Sequence, residues 1–148
     1  MSRVLIIVDM QNDFVTGSLG SKDAQAIIFN VKTKIKEYAN RGERIIFTRD
    51  THGEDYLDTP EGKKLPIKHC IYGTKGWEIV PGLEVGNCEY INKPTFGWLN
   101  WNDFGGMDEI ELIGVCTDIC VISNALILKA KYPEATISAD ASCCAGVT

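Results

Sequence analysis

Five short apolar runs, each bounded by turn residues, constrain this chain more than any other feature. They are "VLIIV" at Val4 to Val8, "RIIFT" at Arg44 to Thr48, "CEYIN" at Cys88 to Asn92, "IELIGV" at Ile110 to Val115 and "ATISA" at Ala135 to Ala139. The runs are continuous and rich in β-branched residues rather than alternating, which is the pattern of parallel strands covered on both faces. Between the first two, Ala24, Ile27, Ile28, Val31, Ile35 and Tyr38 share one helical face, with Ser21 as N-cap and Gly42 as the stop. A second helix is predicted from about Asp118 to about Lys131, closed by Tyr132-Pro133. This alternation predicts an α/β domain, doubly wound around a mainly parallel sheet. Residues 51–87 break the pattern, with Gly, Pro and charges scattered and no sustained period. An irregular excursion of that length inside a compact domain points to function, disorder or a hidden element.

At 148 residues the chain, 1–148, reads as one domain with a sizeable core. No apolar stretch is long enough to span a membrane, and the N-terminal run is too short for a secretory leader. The net charge of -5, with Lys and Arg thinly spread, argues against nucleic acid as a partner. Six cysteines without a secretion signal read as reduced thiols in a cytoplasmic protein.

Ligands of open parallel sheets bind beyond the carboxyl ends of the strands. Asp9, Asp50 with His52, Lys93, and Cys116 with Cys120 all fall at such ends. If Thr117 or Asp118 caps the helix that follows, Cys120 lies in its first turn, where unpaired N–H groups and the dipole lower a thiol pKa. The amides of Cys116 and Cys120 would then be placed to hold an oxyanion. Both cysteines also suit the role of small apolar fillers. Asp9 and Lys93 are a candidate ion pair, and with a thiol between them an activated-nucleophile arrangement. Asp50, His52 and His69 would suit a divalent metal with open positions, although loop histidines are commonly just solvated. Phe96, Trp98, Trp101 and Phe104 read mainly as packing, while one or two of them, together with Phe14, are candidate walls for a flat ring.

Three motifs, in order, carry a resemblance. "VDMQNDF" at Val8 to Phe14, "NKPTFGW" at Asn92 to Trp98 and "GVCTDICV" at Gly114 to Val121 resemble the signature stretches of the isochorismatase-like cysteine hydrolases, within which the chain looks most like the nicotinamidases and related amidases. The resemblance implies a three-layer αβα fold and amide hydrolysis through a thioester. Asp9, Lys93 and Cys120 would be the catalytic residues, and the Cys116 and Cys120 amides the oxyanion hole. It also implies a cis peptide at Val115–Cys116. "RDTH" and "PIKHCIYGTKGWEIVPGL" resemble the nicotinamidase metal loop, so Asp50, His52 and His69 would hold zinc, iron or manganese. Two departures stand out. A further histidine common after the first is missing, its neighbourhood offering only Glu54, Asp55, Asp58 and Glu61. A tryptophan common before the last metal histidine is also missing, with Pro66 nearby. Relatives continue into another helix, with Thr148 about where its N-cap would be, so that cover would come from a longer chain or another subunit, and a homo-oligomer is expected. The expected activity is conversion of nicotinamide to nicotinate and ammonia. The rivals are a related hydrolase of another small amide or carbamoyl compound, and a non-catalytic thiol or metal sensor in which Cys143-Cys144 would take part.

Overall fold

The computed structural model describes residues 2–147; Met1 and Thr148, including the expected N-cap at Thr148, lie outside the described residues. In chain order the main elements are β1 (Arg3–Val8), α1 (Asn12–Val15), α2 (Lys22–Ala26), α3 (Ile28–Asn40), β2 (Arg44–Asp50), α4 (Pro60–Lys64), β3 (Glu89–Lys93), β4 (Glu109–Val115), α5 (Ile122–Lys131) and β5 (Thr136–Ala145). The strands form one five-stranded sheet in the order β3-β2-β1-β4-β5, and every pairing is parallel. All five predicted strands are present, most of them a residue or more longer than the apolar run that marks them.

Central β1 explains why its sequence does not alternate. Leu5 and Ile7 face a cluster with Val31, Ile35 and Tyr38 of α3, while Val4, Ile6 and Val8 face Val121, Leu128, Trp101 and Phe104 on the opposite side. The chain is therefore layered helix, sheet, helix, and burial removes the polar positions that a one-sided strand would keep. Trp101 and Phe104 belong to this core, with ring centroids 5.6 Å apart.

The first predicted helix is interrupted. Ser21 caps it as expected, its side chain accepting from Ala24 N at 3.0 Å, but Ile27 separates α2 from α3. The second departs more: a wide π-helical turn at Thr117–Val121 precedes α5, and Cys116, rather than Thr117 or Asp118, occupies the cap position. Asp118 instead accepts from Val147 N at 3.0 Å, tying this turn to the end of β5. The irregular 51–87 segment is ordered by short elements, including α4 with Thr59 as its cap. All six cysteines are free thiols.

A polar network fastens α3 to the shifted register of β5. Lys34 Nζ contacts Glu111 Oε2 and Asp140 Oδ2, each at 2.9 Å, and Tyr38 OH donates to Glu111 Oε1 at 2.7 Å. Lys34→Met is expected to lower stability by about 1 kcal/mol, measured by urea denaturation. Hydrogen bonds from Ser142, then from Lys34, hold the Asp140 carboxyl down at about 2. A group whose pKa is depressed on folding contributes stability above its unfolded value and loses it on acidification. Between about pH 4 and pH 2, stability should therefore fall more steeply in the wild type than in Asp140→Asn.

Candidate active site

The sheet order reverses between β1 and β4, and the crevice there opens beyond their carboxyl ends. Asp9 leaves β1 at φ 51°, a left-handed conformation rare outside glycine. Neighbouring bonds hold it: Asp9 N donates to Thr48 O at 3.2 Å, Thr48 Oγ1 donates to Asp9 Oδ1 at 2.7 Å, and Gln11 N donates to Asp9 O at 2.7 Å. Gly114 makes room on the other side, since at φ 114° a Cβ would lie 2.2 Å from Val8 O.

Asp50 and Lys93 end β2 and β3 in register with each other. Lys93, wholly buried, donates to Asp9 Oδ2 at 2.7 Å and to Thr95 O at 3.1 Å, with Asp50 Oδ1 3.9 Å away. Burial opposes its charge, but the neighbouring carboxylates, Asp9 first and then Asp50, outweigh that and hold the ammonium protonated. Burial raises the Asp9 pKa against the pull of Lys93, which makes its carboxylate a stronger base than an exposed one. Burial also pushes the Cys120 thiol up, Asp9 adds to this, and Lys93 opposes it. The lowering expected from a helix start does not appear: Cys120 sits buried in the π-helical turn, and its shift is upward. The thiol is protonated at rest and needs a base. The Val115–Cys116 peptide is cis, as the resemblance implies.

Cys120 lines a cavity of about 390 Å³ whose walls are mostly apolar, among them Phe14, Leu65, Phe96 and Ile119. Asp50, Glu61 and His69 reach the same cavity. Asp50, His52, Glu61 and His69 offer donor atoms that all lie within 4.8 Å of one another. His52 Nε2 is 2.8 Å from Asp50 Oδ2 and 3.5 Å from Glu61 Oε2, and His69 Nε2 is 3.4 Å from Asp50 Oδ2. His69 Nδ1 lies 2.7 Å from Ile67 O; a carbonyl only accepts, so Nδ1 carries the proton and Nε2 of the neutral ring keeps its lone pair. Asp50 Oδ1 is buried with no hydrogen-bond partner among the described residues. Two imidazoles and two carboxylates, one of the carboxylates with an unpartnered oxygen, fit a divalent cation.

Residue by residue, the structure brings together Asp9, Lys93 and Cys120, places Asp50, His52 and His69 in one cluster, and puts Phe14 on the cavity wall with its ring 5.4 Å from that of His69. Glu61, a weak candidate among the four acids of that stretch, joins the cluster, while Glu54 turns to Lys68 at 3.3 Å.

A family model described as the isochorismatase domain matches residues 3–148. The chain belongs to the isochorismatase family. This isochorismatase-family hydrolase is 31% identical over 143 residues to the nicotinamidase/pyrazinamidase of Mycobacterium tuberculosis, covering 83% of the chain and 76% of that relative. A pyrazinamidase/nicotinamidase structure from Streptococcus mutans superposes with TM-score 0.84 at 28% identity, over 99% of this chain and 89% of that one. A Pyrococcus horikoshii pyrazinamidase, solved in complex with zinc, shares the fold at TM-score 0.79 and 24% identity, over 100% and 88% of the two chains.

Some contributors to the family site escaped sequence reasoning. Buried Gln11 bonds Asp50 O, Asp50 N and Trp77 O at 2.8–2.9 Å, locking β1 to β2 and to the irregular segment. Asp13 Oδ2 accepts from Cys70 N at 2.8 Å, steadying a residue at φ 48° beside His69. Both lie inside "VDMQNDF", so the signal was present, but partners 39 to 66 residues away leave no local trace.

Proposed function

We propose that this hydrolase is a metal-assisted cysteine amidase acting on nicotinamide, giving nicotinate and ammonia, and that residues 1–148 form a single catalytic domain. The observation that carries the reading is a buried Asp9–Lys93 pair beside the Cys120 thiol, which lines a cavity that Asp50, Glu61 and His69 of a two-histidine, two-carboxylate cluster also line. Asp9 takes the Cys120 proton, and the thiolate adds to the amide carbonyl while Lys93 stabilises the negative charge. The Cys116 and Cys120 N–H groups hold the oxyanion. On collapse the C–N bond breaks, Asp9 returns its proton to nitrogen, and ammonia departs, leaving a thioester. Asp9 then deprotonates a water that adds to the thioester; the C–S bond breaks and Cys120 recovers its proton as the acid leaves.

Asp50, His52, His69 and Glu61 would hold the cation, zinc in the first instance, with iron and manganese as alternatives. A bound cation supplies a Lewis-acid contact for the pyridine nitrogen. Phe14 would face the ring from the side. A small, neutral, flat amide matches the mostly apolar cavity, whose described lining includes the acidic groups Asp50 and Glu61.

Ammonia release from nicotinamide, compared with a panel of aliphatic amides and carbamoyl compounds, tests the reading. Turnover of nicotinamide well above the panel is expected; preference for a carbamoyl compound would transfer the same chemistry to another substrate. Chelation followed by gel filtration is expected to raise KM for nicotinamide, or lower kcat, by about tenfold or more, with recovery on adding zinc. Unchanged kinetics in metal-free protein would remove the cation from substrate positioning.

A further inference from the structure

Asn124, on the first full turn of α5, is wholly buried and uses its amide to join two parts of the site that no main-chain bond connects. Its Nδ2 donates to Cys120 O at 2.8 Å and to Phe96 O at 3.1 Å, and its Oδ1 accepts from Trp98 N at 2.9 Å. The Cys120 carbonyl belongs to the turn that presents the thiol. Phe96 and Trp98 belong to the loop that leaves β3 directly after Lys93, and in that loop Thr95 O accepts from Lys93 Nζ at 3.1 Å. Phe96 also lines the cavity. The loop comes so near α5 at Gly97 that a Cβ there would lie 2.7 Å from Ile127 Cδ1.

We infer that Asn124 is a positioning residue that sets the spacing between the Cys120 turn and the Lys93–Phe96 loop, and through it the reactivity of the thiol. The inference rests on the reading of Cys120 as nucleophile and Lys93 as the charge that favours its thiolate. The chemistry of the side chain supports it. An amide presents donor and acceptor in one plane, and all three of its partners are backbone groups, so they cannot rotate away to other bonds. A buried asparagine with only structural work needs its polar atoms satisfied, but has no reason to connect these particular two segments. A displacement of the order of 1 Å between reacting groups costs up to about 100-fold in rate.

Two variants test this on the full-length, metal-replete protein. Asn124→Ala removes all three bonds. Asn124→Thr keeps a hydroxyl able to donate to the carbonyl four residues back, that of Cys120, and loses the bonds to Phe96 and Trp98. The readouts are folding by circular dichroism and thermal melting, carbamidomethylation of Cys120 by iodoacetamide followed by peptide mass mapping, and steady-state hydrolysis of nicotinamide. The alkylation arm uses no substrate, so it decides the inference even if nicotinamide is not hydrolysed by the wild type.

In Asn124→Thr we expect a folded protein whose Cys120 alkylates about tenfold or more slowly and whose kcat falls by a similar factor, with KM changed less. Should Asn124→Ala fail to fold, Asn124→Thr decides alone. A folded Asn124→Thr with a lower melting temperature but with alkylation and kcat within twofold of wild type would reduce Asn124 to a packing role and overturn the inference. Wild-type alkylation that is unaffected by Lys93→Met would overturn the premise on which it rests.

Discussion

Cys120→Ala is expected to lower amide hydrolysis by about 10⁴-fold or more while the protein stays folded. The substitution removes one sulfur from the cavity wall and leaves the backbone of the turn, including both candidate oxyanion donors, in place. Residual activity would then come only from binding and the oxyanion contacts. Cys120→Ser sharpens the test. Asp9 is a stronger base than an exposed carboxylate, yet an alcohol is far harder to deprotonate than a thiol, so serine should not rescue turnover. Cys143→Ala is the contrasting control, because Cys143 packs in the core beneath α3 and takes no part in the proposed reaction. Retained turnover in that variant, with loss in Cys120→Ala, would set aside the oxidant-sensor alternative. Full activity in Cys120→Ala would end the nucleophile assignment.

The second large effect concerns the Asp9–Lys93 pair, which is fully buried at 2.7 Å. Removing either partner leaves the other charge without its counter-ion in the interior, and breaking such a pair costs about 3–5 kcal/mol. Asp9→Asn and Lys93→Met should each lose that much stability in denaturant titration, along with nearly all turnover. The double variant discriminates between stability and catalysis. With both charges gone, most of the lost stability should return, since a buried pair is often no better than an apolar replacement. Activity should stay absent, because neither the proton carrier nor the thiolate's counter-charge has been restored. A double variant that regained hydrolysis would make the pair purely structural. Asp50, 3.9 Å from Lys93, partly compensates in Asp9→Asn, so that single variant should be the milder of the two in stability.

Reading the sequence and reading the structure succeed on different residues. The strands were legible because burial on both faces of β1, β2 and β4 forces runs of apolar side chains, and that constraint is written locally. The catalytic candidates were legible because Asp9 and Asp50 follow such runs and Lys93 ends the largely exposed edge strand β3, which puts all three at the carboxyl end of the sheet. The extent of β5 was less legible, since its edge position leaves it exposed and its register shifts between Leu112 and Gly114. The cap at Thr117 or Asp118 was read from residue preference, and the π-helical turn overrode it by sending Asp118 to Val147. The thiol was expected to be acidic from its place on a helix; its pKa is set by burial and by Asp9, which a helix-end rule does not see.

The candidate metal cluster divides the same way. Asp50 and His52 are two residues apart and could be suspected together, whereas Glu61 is one of several acids in an irregular stretch, and only the packing of α4 brings it to His52 while Glu54 turns outward. The sequence by itself determined the parallel layered fold, the family and the residue types at the strand ends, because these follow from local burial patterns and short motifs. Only the tertiary structure decided the protonation of Cys120, the fourth donor of the cluster and the bonds of Gln11, Thr48 and Asn124. Each of those depends on desolvation or on partners many residues away, and a linear chain carries no record of which distant groups will share its interior.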